Sequence, residues 1–136
     1  MSDHPVLGQT VLDTTDVRRD AEFYRRLLGL VYRPGDEPPA EGEPEKDWLV
    51  LRRPDGGSAL AFQQVERLTP TTWPSHDVPM QLHLDMVAPD VAALERHRAV
   101  AEELGGTLLL DRRDDPDEPL YVLADPAGHP FCLFVG

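Results

Sequence analysis

The chain has 136 residues, 40% hydrophobic and 28% charged, enough for one globular domain that builds a core without disulfides or a structural metal. Its 25 acidic and 13 basic residues give a formal charge of -12, and the arginines come as scattered pairs, so the basic footprint of a nucleic-acid or anionic-membrane binder is missing. The single Cys132, the lack of a run of about 18 apolar residues and the lack of a basic-then-apolar start predict a cytoplasmic protein with no disulfide, membrane span or export signal.

The first expected element is a strand over 6–13, which carries Gln9. Asp16 follows as a helix cap, because a short side-chain acceptor can take free first-turn amides. Val17, Ala21, Tyr24 and Leu28 then fall at helical spacing on one stripe, with Tyr24 assigned to the core, and Gly29 closes the helix. A short strand at 30–33 leads into PGDEPPAEGEPEKD (34–47), whose prolines break helix and strand alike. That loop is expected to be solvated and mobile, either as plain surface or as a flap over a ligand. WLVLRR and SALAFQQV, joined by PDGG, read as a hairpin carrying Trp48, Ala61 and Gln63. Trp48 reads equally as core or as cavity wall. In the spacer 66–79, Trp73 and His76 either cover a pocket mouth or anchor the segment to the body.

The strand expected over 80–87 places Met80, Leu82, Leu84 and Met86 on one side and Gln81, His83 and Asp85 on the other. Asp90 repeats the helix cap, and Val91, Leu94, Ala101 and Leu104 repeat the stripe, ending at Gly105. His97 lies among charged neighbours and reads as surface. A strand at 107–111, a second acidic loop at 111–119, and the hairpin LYVLA–DPAG–HPFCLFV close the chain. His129, in that turn, is expected to face solvent.

The order of elements is the same twice. Gln9 aligns with His83 and Asp16 with Asp90, in each case 74 positions on (83 − 9 and 90 − 16). The chain therefore reads as a single domain, 1–136, of two β-α-β-β-β modules at about 1–65 and 80–136, joined by the 66–79 linker. Neither small sheet buries enough alone. Pairing them would leave a concave space lined by the sheet faces opposite the helices.

Several features together resemble the vicinal oxygen chelate superfamily, which includes glyoxalase I, extradiol dioxygenases, and fosfomycin- and bleomycin-resistance proteins. In the first half they are Asp16, Val17, Phe23, Tyr24, Leu28 and Gly29; in the second, His83, Asp90, Gly105 and DPAGHPFCLFV at 125–135. The match spans nearly the whole chain, and its details are most similar to the glyoxalase-like branch. The resemblance implies an α+β fold in which tandem βαβββ modules form a curved eight-stranded open barrel. It also implies a possible divalent metal (Zn, Fe, Mn, Ni or Mg) held by one residue from the first and one from the last strand of each module. Carried over position by position, the first-strand places fall on Gln9 and His83. The closing-strand places fall on Ala61, with Gln63 next on the same face, and on Cys132. The family pattern asks for acids at both closing positions, and neither is present. An ion held by one imidazole and one neutral amide lacks the carboxylates that hard, octahedral cations require. Cys132 as thiolate with His83, or a site using Asp85, would suit a softer ion such as zinc, although a cysteine between Phe131 and Leu133 is commonly an inert buried thiol.

His83 thus reads as a metal ligand, as a general base oriented by a neighbour, or as a hydrogen-bonding pocket wall. Gln9, Trp48, Ala61, Gln63, Trp73, Asp85 and Cys132 are the candidate ligand-binding residues around it. The primary expectation is a small-molecule binder with a degenerate metal site, working as a homodimer like many relatives. The alternative is a metal-dependent lyase, isomerase or dioxygenase using Gln9 and His83. A structural or regulatory subunit with a vestigial pocket is a third reading. Fold alone does not choose among them.

Overall fold

A computed structural model describes residues 3–136. The chain falls into two compact units, Met1–Glu66 and Arg67–Gly136. The first contains β1 (Thr10–Thr14), α1 (Val17–Leu28), β2 (Val31–Tyr32), β3 (Trp48–Arg52) and β4 (Ser58–Gln64). The second contains β5 (Leu84–Ala88), α2 (Val91–Glu103), β6 (Thr107–Arg112), β7 (Leu120–Ala124) and β8 (Pro130–Val135). The fold class is α+β, with one mixed four-stranded sheet per unit, ordered β1-β4-β3-β2 and β5-β8-β7-β6. Among the described residues the strands divide four and four between these two sheets, with no strand pairing from one sheet to the other.

The repeat holds in register as well as in order. β1 pairs in parallel with β4, Val11 opposite Ala61, and β5 pairs in parallel with β8, Asp85 opposite Cys132. Both opening strands are shorter than the alternation suggests. β1 begins at Thr10, so 6–9 are outside it, and Val6 is 89% exposed. β5 begins at Leu84, and Leu82 is 51% exposed rather than part of a buried row. Apolar alternation reports which residues tolerate a buried sheet face; strand length is set by how far the partner runs, and β8 offers Leu84 its first partner at Phe131.

In the first unit, the Asp16 side chain accepts from the Arg19 amide at 3.1 Å and starts α1. Gly29 ends it at φ 66°, donating its N–H to the Arg25 carbonyl. Val17, Ala21 and Tyr24 are buried as the stripe requires, but Leu28, the last helical residue, is 39% exposed. Tyr24 stacks on Phe62 with ring centroids 5.8 Å apart, which identifies the face carrying Leu12, Leu60 and Phe62 as the helix side of the sheet. Gln64 fastens helix to sheet: its Oε1 accepts from the Val17 amide at 3.2 Å, and its Nε2 donates to the Thr15 carbonyl at 2.6 Å.

The loop at 34–47 is solvent-exposed, as its sequence suggests, except at Asp36, which ties it to the first sheet. Asp36 is 1% exposed. Its carboxylate accepts from the Val50 amide at 3.0 Å and pairs with Lys46 at 2.9 Å and Arg33 at 3.1 Å. From α1, Arg18 reaches the Asp36 carbonyl at 2.7 Å and pairs with Glu45 at 2.7 Å. Within this segment Asp36, Glu45 and Lys46 are thus paired, with Arg33 and Arg18 as partners from outside it.

In the second unit, Asp90 accepts from the Ala93 amide at 2.8 Å and starts α2. Leu94 and Ala101 are fully buried, whereas Val91, the first helical residue, is 45% exposed. The Tyr121 hydroxyl donates to Glu95 at 2.5 Å and Arg98 lies over its ring, so Met86, Tyr121 and Leu133 share the helix side of this sheet. Gly106 is required where α2 turns into β6: a Cβ there would meet the Ala101 carbonyl oxygen at 2.8 Å.

Candidate functional site

The sheet face opposite α2 is built by register. Asp85 on β5, Cys132 on β8 and Val122 on β7 form one row, because paired residues of neighbouring strands point to the same side. His83 is two residues before Asp85, one residue outside the strand. Its Nε2 lies 3.1 Å from Asp85 Oδ1, and one ligand atom from each of His83, Asp85 and Cys132 lies within 4.8 Å of the other two. The side chains of His83 and Asp85 are 38% and 57% exposed, while Val122 is 3% exposed, so the row runs from solvent at Asp85 to the buried Val122.

Cys132 is half-buried. Burial pushes its thiol pKa up, and the charge and hydrogen bond of Asp85, with a contribution from Glu118, push the same way. The free thiol is therefore protonated at neutral pH and is a poor nucleophile unaided.

The matching row of the first unit is different. Val11, Ala61 and Val50 occupy it, and Ala61 and Val50 are buried. Asp13, Gln63 and Trp48 form the next row on that face, with Gln63 exposed and Trp48 half-buried. Gln9 is half-buried one residue before β1, the same place that His83 holds before β5. Of the expected site residues, His83, Asp85 and Cys132 come together in the second unit, and Trp48 and Gln63 are neighbours in the first. Ala61 offers a fully buried methyl and no donor. Trp73 is half-buried in the spacer, in a loop closed by the Thr72 amide donating to the Val78 carbonyl at 3.0 Å. The metal pattern that the resemblance implies does not fit these residues. Neither closing-strand position holds an acid, and one of the two holds no heteroatom.

His129 is a correction. Expected in solvent, it is only 20% exposed, with Nδ1 at 2.7 Å from Asp125 Oδ2. The other carboxylate oxygen of Asp125 accepts from the amides of Ala127, Gly128 and His129 at 2.9, 2.9 and 3.0 Å. An aspartate opening an Asp-Pro-x-Gly turn is the sequence feature that foretells such capping. The sequence reading also missed Arg18, which with Lys46 and the prolines and glutamates of 37–45 lines a cleft of about 270 Å³ in the first unit.

A family model described as a glyoxalase-like domain matches residues 9–134. The chain belongs to the glyoxalase-like domain family. Solved structures agree on the fold. A glyoxalase/bleomycin resistance protein/dioxygenase family enzyme from Burkholderia phytofirmans PsJN is 15% identical, with TM-score 0.69, over 94% of this chain and 96% of that one. The fosfomycin resistance protein FosX from Listeria monocytogenes is 13% identical, with TM-score 0.68, over 98% and 94%. A glyoxalase/dioxygenase from Nostoc punctiforme is 21% identical, with TM-score 0.61, over 98% of both chains. No curated protein sequence matches the chain significantly. Among the described residues, no helix of this glyoxalase-like chain is long and apolar enough to cross a membrane.

Proposed function

We propose that this glyoxalase-like chain binds a small molecule on the face carrying His83, Asp85 and Cys132, and that it lacks the carboxylate-rich metal site of its metal-dependent relatives. The observation that carries this reading is the register of the closing strands. Ala61 and Cys132 take equivalent places, opposite Val11 and Asp85, and neither supplies the acid a hard cation needs. His83 and Asp85 then serve as a donor–acceptor pair that orients a polar ligand, with the buried Val122 side chain as apolar wall. A cytoplasmic homodimer is the form proposed for it.

The test is a ligand-observed NMR fragment screen in the presence of a chelator, extended to bleomycin and fosfomycin because relatives are named for resistance to them. Hits should weaken on both His83→Ala and Asp85→Asn. Hits that bind both variants as well as wild type would remove this face from the reading.

A second reading has one observation in its favour. Gln9 and His83 hold the same place before their strands, as the paired first-strand ligands of a metal-dependent lyase, isomerase or dioxygenase would. Elemental analysis separates the two. A stoichiometric ion that is lost on Gln9→Ala as well as on His83→Ala would favour the enzyme.

A further inference from the structure

We infer that Arg52 anchors the acidic group of a small organic anion on the face of the first sheet opposite α1. The site lies wholly within the first unit. It goes beyond the binding reading above and draws on none of that reading's residues.

Arg52 is set apart from the other arginines. Most of them pair with a carboxylate, as Arg18 does with Glu45 and the adjacent Arg53 does with Asp55. Arg26, Arg67 and Arg96 pair with none among the described residues, but they are exposed, and water serves them. Arg52 is half-buried, and its Nε is sealed from solvent with no hydrogen-bond partner among the described residues. Acids are not in short supply, at 25 against 13 basic residues. A guanidinium stays charged throughout the accessible pH range, so it cannot relieve a sealed N–H by losing a proton. Buried polar groups without partners are rare in folded proteins, and a charged one is accounted for by a partner from outside the chain. The seal covers Nε alone of the three guanidinium nitrogens, so a turn of the side chain toward the open side presents two parallel N–H groups to an acid.

The surroundings define the class of ligand. Arg52 and Val50 are two residues apart on β3 and share a face, and Ala61 and Val11 carry the Val50 row across β4 and β1. Val50 and Ala61 are buried, which makes an apolar floor beside the cation. Trp48, half-buried on the same face, stands roughly 13 Å along the strand at about 3.3 Å per residue. Asp13, the acid of this face, is in the Trp48 row two strands across, on the order of 16 Å from Arg52 by strand spacings. The site therefore suits an acid with an apolar body that lies over Val50 toward Trp48. A chain of net charge -12 repels polyanions, which leaves a small monoanion as the ligand. The fold does not demand an arginine here. In the second unit the equivalent place, the last residue of the third strand, is Ala124.

The test titrates 4-phenylbutanoate, its neutral amide and acetate into the full-length protein at up to millimolar concentration. Proton–nitrogen NMR follows the backbone amides and the Arg52 Nε–H, assigned by its loss in Arg52→Gln. The phenylbutanoate should move the Arg52 Nε–H downfield and shift the Val50 and Ala61 amides. It should bind at least about tenfold more tightly than the amide, which lacks the charge, and than acetate, which lacks the apolar body. Arg52→Gln should abolish the preference for acid over amide, and Arg52→Lys, which keeps the charge without the fork, should weaken binding by about tenfold. Circular dichroism and urea midpoints identify a variant that has lost its fold; Arg52→Lys then stands in for Arg52→Gln, and the acid–amide comparison needs no variant. Equal affinity for acid and amide, wild-type affinity in Arg52→Gln, an Arg52 Nε–H that does not move, or shifts centred on His83 instead would each overturn the proposal. The binding reading is tested on His83→Ala and Asp85→Asn, so its failure and failure here are distinguishable.

Discussion

Removing the Asp36 carboxylate should loosen the tie between the 34–47 loop and the first sheet by an amount the structure lets one work out. Asp36 is 1% exposed and accepts from the buried Val50 amide at 3.0 Å. A hydrogen bond from an amide to a charged acceptor contributes about 1.5–3 kcal/mol, and orphaning a buried donor costs about 1–3 kcal/mol. Its ion-pair partners are much more exposed, Lys46 at 51% and Arg33 at 39%, so each pair adds at most about 1 kcal/mol. Asp36→Ala should therefore destabilise by about 2.5–4 kcal/mol. Asp36→Asn keeps an acceptor for Val50 but meets two cations with an amide, and should cost about 1–2 kcal/mol. At roughly 3–5 °C per kcal/mol for a chain of this size, the alanine variant melts about 8–20 °C lower. Burial pushes the Asp36 pKa up, but Lys46, the Val50 amide and Arg33 together outweigh it and hold it below the ordinary carboxylate value. For a group depressed in the folded state, the stabilisation is complete above the unfolded pKa of about 3.9 and is lost as pH falls through the folded value. The gap between wild type and Asp36→Asn should thus be constant from pH 7 to about 5 and shrink below about pH 4. Urea unfolding followed by tryptophan fluorescence measures it. An alanine penalty under about 1 kcal/mol, or a gap that does not change down to pH 2, would refute the assignment of a stabilising buried carboxylate.

Other changes test the remaining local arguments. Asp85→Asn removes a charge and a hydrogen bond that, after burial, raise the Cys132 pKa, so alkylation of Cys132 by iodoacetamide at pH 8 should speed up severalfold; an unchanged rate would mean that Asp85 does not act on the thiol. Asp16→Ala and Asp90→Ala each remove a helix cap and should lower stability by about 1 kcal/mol in urea titrations, with near-additive effects in the double variant. Tyr121→Phe keeps the ring under Arg98 but loses the hydroxyl donated to Glu95, and should cost about 1 kcal/mol by the same measurement.

Much of this architecture was legible in the sequence because the repeat carries its own check. Thr10 and Leu84 start their strands, and Val17 and Val91 their helices, at the 74-residue spacing already visible between Asp16 and Asp90 (84 − 10 and 91 − 17). The hairpin LYVLA–DPAG is bounded where its turn residues say, and Gly29 closes α1 as a left-handed cap. What escaped reading was pairing between charges distant in sequence. Nothing local to PGDEPPAEGEPEKD reveals that Arg18, from the preceding helix, will take up Glu45, or that Asp36 will be buried under the Val50 amide. His129 is a different case: its partner Asp125 lies only four residues away in the same turn, and the capping aspartate that opens the turn was the local signal passed over. The meeting of His83 and Asp85 followed from alternation along one strand. Their meeting with Cys132 needed the β5–β8 register, which turn signals alone leave open by one step in either direction.

The contrast between the Val11–Ala61–Val50 row and the Asp85–Cys132–Val122 row carries an evolutionary consequence. A doubled scaffold need not specialise evenly: one row can freeze into ballast while its twin stays free to explore new chemistry. Saturation mutagenesis should find positions 11, 50 and 61 intolerant of bulk and charge but indifferent to which small apolar residue fills them. Positions 83, 85 and 132 should accept many residues without unfolding, yet lose whatever selective advantage the protein confers.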